Sequence, residues 1–261
     1  MKKIPLIMDC VLRNDAVPCI EMLEASEKYH LMGITAVYGE TPPEDLSRWS
    51  GAVWPVYQGA AKPLLTPEPA QTDTAGRVPF AAGYAWDFIY NTAADHPGEL
   101  ELIAAGPLTN IAIAVLKHPD MAGLVKRLII RGGAATVGDA APLTEKNFYQ
   151  DPHAAQIVLE AGFRDIVVVD LDCCRTALNA IAPSDGVDAY TALAAAAAIS
   201  PEIVSCRDVY MVCETTGGKT AGQSIIDRLG ISGKTNVHLA EKVDSNALAA
   251  LLGRCGGGLR A

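Results

Sequence analysis

Residues 5–23 read PLIMDCVLRNDAVPCIEML, and the fold turns on them. Positions 5–9 form a short apolar run ending in an acid, and from 17 to 29 apolar residues recur at helical spacing. A strand feeding a helix is the expected structure. Two acids, Asp9 and Asp15, flank the turn between them.

The same alternation runs outward from this unit. Residues 34–38, 52–57, 100–105, 125–130 and 166–170 read as strands, with helical spacing near 84–94, 108–116 and 152–160. The strands are apolar throughout, as expected of an α/β fold whose mostly parallel sheet is covered by helices on both faces. Right-handed crossovers then bring the carboxyl ends of the strands to one edge, where such sheets bind ligands. Further on, 189–199 reads as an alanine-rich helix, 209–214 and 236–243 as strands, and 246–252 as a closing helix. The glycines at 256–258 follow no strand and carry no phosphate-loop reading.

No linker-like stretch interrupts the 261 residues, so one domain over 1–261 is expected. Thirty acidic residues against 21 basic ones give a formal net charge of −9, and no basic cluster exceeds Lys2-Lys3. Nucleic acid is therefore excluded as an expected partner, because phosphate binding needs a basic face. The seven cysteines form no CxxC pair, which fits reduced thiols in a cytoplasmic protein. The most apolar run, 192–199, is far below the roughly 20 residues a membrane span needs. The N-terminal residues run straight into a strand and then acids, unlike a signal peptide.

Acids at strand ends are the informative chemical feature: Asp9 and Asp15 first, then Glu40, Asp139, Glu145 and Asp170. Either they share a pocket or they cap helices.

With these motifs in view the chain resembles the nucleoside hydrolases. PLIMDCVLRNDAVPCIEML is similar to the family's opening, an apolar strand followed by D-x-D-P-G-x-D-D, and LMGITAVYGE (31–40) to its second strand, which usually ends in Gly-Asn. PVYQGAAKPL (55–64), AAGPLTNIAIAVLKHPDM (104–121) and RLIIRGGAATVGDAAPLTEKNFYQDPHAAQIVLEAG (127–162) follow in the family's order. ISPEIVSCRDVYMVCETTGGKTAGQSIID (199–227) resembles its C-terminal strand pair.

The resemblance implies a calcium-dependent hydrolase of the ribonucleoside C1′–N bond. In that family the second and last acids of the opening, and the Asp of a late His-Asp-Pro, hold the metal, with a main-chain oxygen of the G-x-L-T-N turn. Calcium takes about six to eight oxygens. Carried over residue by residue, the pattern is damaged. Asp9 and Asp15 match the first and third acids, but Val11 and Ala16 stand where the metal-binding acids belong, and Leu12-Arg13 replaces Pro-Gly. Tyr190-Thr191 falls at the His-Asp pair, unless a shifted loop brings in Asp185 or Asp188. Glu145 and Asn147 match sugar-binding positions, Lys146 replaces a Phe between them, and Glu40 and Asp139 each replace an asparagine. None of the five histidines falls at the leaving-group position or in the family's H-G-x-x-G loop, where QTDTAGRVPF (71–80) stands, and the segment before the late motif is shortened.

No calcium or other cofactor is therefore expected; if a metal bound, Asp9, Asp15 and Thr109 would be the candidates. Thr109 and Asn110 otherwise serve to begin a helix. Asp9 and Asp15 are the catalytic candidates. Asp15, Glu40, Asp139, Glu145, Asn147, Arg13 and Arg131 are the ligand-binding ones. Arg13 or Arg131 is expected to pair with Asp9 or Asp15 in place of the lost cation, the alternative being a solvated arginine. The expected activity is lost or altered, with retained binding of a small polar ligand, ribose or nucleoside-like, in a homodimer or homotetramer. Two alternatives stand beside this: a metal-free hydrolase using other pocket acids, and a non-catalytic scaffold subunit.

Overall fold

The structure is a computed structural model that describes residues 2–39, 54–65, 79–180 and 188–255. Its strands in chain order are β1 Ile4–Val11, β2 Tyr29–Val37, β3 Val56–Gln58, β4 Ala81–Tyr84, β5 Glu101–Ala105, β6 Arg127–Arg131, β7 Ile166–Val169, β8 Val204–Cys213, β9 Ser224–Asp227 and β10 Val237–Val243. The helices are α1 Val17–Ala25, α2 Ala85–Asp95, α3 Thr109–Lys117, α4 Met121–Leu124, α5 Lys146–Gln150, α6 Pro152–Glu160, α7 Leu171–Ala180, α8 Ala189–Ile199 and α9 Ser245–Cys255.

All these strands join one sheet in the order β4-β3-β2-β1-β5-β6-β7-β10-β8-β9. It is parallel from β4 through β10, and only β8 and β9 run antiparallel to their neighbours. The mostly parallel sheet expected from the sequence is thus present, extended by an antiparallel edge.

Alternation along β1 divides the core. Leu6, Met8 and Cys10 point into one buried cluster with α1, α7, α8 and α9, and Ile7 points into another with α2, α3, α4 and α6. A strand buried on both faces favours apolar residues along its length, which is why β1 shows no polar alternation and carries one charged side chain, Asp9. In α8 every residue from Thr191 to Ala198 is buried. Alanine lets that helix lie close against its neighbours while having the highest helix propensity.

Several element boundaries differ from the sequence expectation. The first helix stops at Ala25 and residues up to Tyr29 pass into β2, which starts five residues before its apolar core. The short strand β4 and the helix α7 carried no readable pattern, β9 closes the segment that resembled the family's C-terminal strand pair but shows no strand periodicity of its own, and β8 begins at Val204, its first half being exposed and polar. Asp170 lies past the end of β7 and its Oδ1 accepts the Cys173 amide at 2.8 Å, so it caps a helix. Of the expected strand at 52–57, residues 52 and 53 lie outside the described residues.

The turn after β6 positions the site. Gly133 has φ +78°, and a Cβ there would meet the Ser224 Oγ at 2.8 Å and the Phe148 ring. Only glycine adopts that conformation without strain and leaves this space. The chain can then return over the fully buried Phe148 into α5.

Candidate active site

At the carboxyl ends of β1, β5 and β6 lies a cleft whose walls include Val11, Ala16, Arg131, Asn147, Asp188 and Thr191.

Beneath it is a buried polar network. Asp9 sits on β1 beside Thr35 of β2 and Ala104 of β5 and is 1 % exposed. Its Oδ1 accepts from Thr35 Oγ1 at 2.6 Å and Asn110 Nδ2 at 2.7 Å, while its buried Oδ2 has no partner among the described residues. Burial pushes the carboxyl up to about 7, against the opposing pull of the Asn110 and Thr35 hydrogen bonds. Asn110 also donates to the Ala36 carbonyl at 3.0 Å and accepts the Ala60 amide at 2.8 Å. Thr109 Oγ1 donates at 2.7 Å to Asp151, whose other oxygen caps α6 at Ala154 N, 3.0 Å away. Thr109 and Asn110 therefore do more than begin a helix: their side chains tie β1, β2, the following loop and α6 together.

On the β1 side of the cleft, the Arg13 guanidinium grips both oxygens of Asp15, Nε at 3.0 Å from Oδ1 and Nη2 on Oδ2. The Arg13 side chain is 50 % exposed. The expected arginine–aspartate pair is formed at Asp15, but it does not include Asp9.

The β6 side holds the second arginine. The Arg131 side chain is 13 % exposed, and its Nη1 lies 3.1 Å from Glu145 Oε1. The guanidinium stands over the Tyr190 ring at 5.3 Å. Burial works against the Arg131 charge, but Glu145 and then Asp188 outweigh it and hold the group above its ordinary value. Glu145 is 1 % exposed, and its Oε2 accepts the amides of Gly133, Asn147 and Phe148 at 3.0, 2.9 and 3.2 Å. Burial pushes this carboxyl up, opposed first by Arg131 and then by the amides.

Asp188, an alternative for the late acid, lies in the wall and caps α8. Its Oδ1 accepts from Tyr190 N and Thr191 N at 3.1 and 3.2 Å, and its Oδ2 from Thr191 Oγ1 at 2.7 Å. Asn147 Nδ2 donates to the Arg131 carbonyl at 2.9 Å. Asp139 is exposed and accepts the Lys146 amide at 2.8 Å. Glu40 and Asp185 lie outside the described residues. Cys10 borders the cleft, but burial and then Asp9, Asp188 and Asp15 push its thiol up, which makes it a poor nucleophile. Sequence reasoning passed over Asp151, although an acid directly before Pro152 is a helix-start signal.

The fold and cleft define an α/β protein with a polar cleft at the carboxyl ends of a mostly parallel sheet. The chain belongs to the inosine-uridine preferring nucleoside hydrolases, whose family model matches residues 6–250. It is 30 % identical to the non-specific ribonucleoside hydrolase RihC of Salmonella newport, over 92 % of this chain and 94 % of that protein. It is 34 % identical to an uncharacterised Schizosaccharomyces pombe protein, over 61 % of this chain. It is 30 % identical to a probable uridine nucleosidase 1 of Oryza sativa subsp. japonica, over 64 % of this chain. The matched region spans 58 % of the length of each of these last two. Among solved structures, a plant nucleoside hydrolase, the PpNRh1 enzyme, superimposes with TM-score 0.80 at 22 % identity, over 98 % of this chain and 100 % of the other. The purine-preferring ribonucleoside hydrolase from Gardnerella vaginalis gives 0.79 at 21 % identity, over 96 % and 97 %.

Proposed function

We propose that this chain binds a small polar ligand, ribose or nucleoside-like, in the cleft, and does not carry out calcium-dependent N-glycoside hydrolysis. The observation that supports this is the donor set. Where the family resemblance calls for metal-binding acids, the walls present Val11, Ala16 and Thr191, and the Thr191 hydroxyl is already bonded to Asp188. Asp15 is held by Arg13, and Asp9 has one oxygen bonded by two donors. Among the described residues no three His, Cys, Asp or Glu side chains gather as a metal site. Such a set does not fit an ion that takes about six to eight oxygens.

Calorimetry with calcium and with ribose, and turnover of inosine and uridine, test this reading. Ribose is expected to bind, calcium is not, and base release is expected at the uncatalysed rate, since each ~1.4 kcal/mol of lost stabilisation slows a reaction tenfold. Stoichiometric calcium binding tighter than micromolar would overturn it.

One observation favours a second reading. Asp9, raised to about 7 with an unpartnered oxygen, has the proton affinity of a general base near neutrality. A metal-free hydrolase would use it, at the cost of giving substrate access to a group only 1 % exposed. Base release that is insensitive to chelator and abolished by Asp9→Asn would establish it. A cytoplasmic homodimer or homotetramer belongs to the same proposal, with light scattering as the check on assembly. Among the described residues no helix is long and apolar enough to cross a membrane.

A further inference from the structure

We propose that the ligand of the cleft is a deoxy sugar or a nucleoside built on one, a ribose-like molecule in which a C–H group replaces at least one hydroxyl. This rests on the reading that the cleft binds a ribose- or nucleoside-like molecule, and it names which members of that class fit.

The lining is divided by chemistry. One part comes from strand ends and the turn after β1: Cys10 and Val11 close β1, Ala105 closes β5, Gly39 lies just past β2, and Ala16 stands before α1. Valine, alanine and glycine offer no side-chain donor or acceptor, and Cys10 offers only a weak thiol donor. This surface is closely packed. A Cβ at Gly39 would overlap the γ-methyls of Val11, and one at Gly106 would meet Val37 Cγ1 at 2.6 Å and Val11 Cγ2 at 3.4 Å. The Val11 methyls are thereby held between two glycines and cannot give way to a polar neighbour. Thr191, also in the wall, gives its hydroxyl proton to Asp188 Oδ2 at 2.7 Å.

The other part is polar and comes from α5. Asn147 Nδ2 donates to the Arg131 carbonyl at 2.9 Å. The Asn147 side-chain oxygen and the Gln150 side-chain amide make no hydrogen bond among the described residues, and neither is sealed from solvent, so both are open to a ligand. The cleft thus asks for a molecule with hydroxyls on one side and hydrocarbon on the other.

Ribose does not meet that demand. It carries hydroxyls on most of its carbons, so whichever edge faces the strand ends brings one against the methyl groups. There the hydroxyl gives up water and gains no side-chain partner, a loss of roughly tenfold in affinity. A methylene or methyl in the same place leaves water for apolar surface, which is favourable.

Calorimetry of the full chain with ribose and its 2-, 3- and 5-deoxy analogues, each free and as the uracil nucleoside, tests the proposal. One deoxy compound is expected to bind about tenfold tighter than its ribose counterpart, and its identity shows which carbon faces the strand ends. Val11→Thr keeps the branched outline and adds a hydroxyl. It should raise affinity for the ribose compound about fivefold, as one hydrogen bond would, and should not raise affinity for the deoxy one. If Val11→Thr does not fold, Ala105→Ser serves instead, with the same narrowing expected. Equal affinity across the series, or tightest binding by the ribose compounds, overturns this inference while leaving the binding reading intact. Failure of every sugar and nucleoside to bind overturns both. A deoxy preference unchanged in both Val11→Thr and Ala105→Ser overturns its assignment to the strand-end side chains.

Discussion

The β1 and β6 sides of the cleft each bury a carboxylate at 1 % exposure, and they treat it in opposite ways. On the β6 side Glu145 is met by a guanidinium and three amides. On the β1 side Asp9 is met by a hydroxyl and an amide on one oxygen, with no partner among the described residues on the other, and the arginine nearest in sequence has gone to Asp15 instead. Proximity along the chain explains the Arg13–Asp15 pair, two residues apart in one turn, whereas Arg131 and Glu145 meet only because the Gly132-Gly133 turn folds the chain back over Phe148. A charge count for the pocket as a whole does not foresee this: compensation is decided by which backbone positions a long side chain can reach.

Three measurements test the contrast. The largest effect belongs to Asp9. Its folded value, about 7, lies well above the ordinary range of an aspartate, so the native state holds the proton more tightly and ionisation works against the fold. The cost is absent below about pH 4, grows as the pH rises, and is complete above about 7. At about 1.4 kcal/mol per unit this amounts to roughly 4 kcal/mol as an upper limit. Urea denaturation from acid to mildly alkaline pH is expected to show that loss, and Asp9→Asn to flatten it and stabilise the protein at alkaline pH. A parallel pH profile for the two proteins would break the contrast.

Next comes Arg131→Met, which strands Glu145 in the core and is expected to cost about 3 kcal/mol, with part recovered in the double variant with Glu145→Gln. The smallest effect is expected from Arg13→Met: an exposed pair contributes up to about 1 kcal/mol, so the melting temperature should barely move. The effect is smaller than at Arg131 because half of the Arg13 side chain stands in solvent.

The fold was legible wherever burial on both faces forced an unbroken apolar run, as in β1, β5 and β6, or where composition was extreme, as in α8. It was not legible at β4 and β9, short strands at the sheet edges with exposed residues, or in the first half of β8, where Ser205 to Asp208 are exposed. The replacement of acids at 11 and 16 could be read from spacing once the family pattern was laid on the chain. Partner choice could not: Arg131 with Glu145, Thr109 with Asp151 and Asn110 with Asp9 depend on three-dimensional reach across separate elements.

Gly39, just past the end of β2, has a further consequence. A Cβ built on it would overlap the γ-methyls of Val11, so the two positions share one volume. The constraint runs in one direction. While Val11 stands, position 39 is confined to glycine. Glycine at 39, which has no Cβ, places no such limit on position 11. In evolutionary terms the order of change is fixed: a larger residue at 39 has to wait for a smaller one at 11.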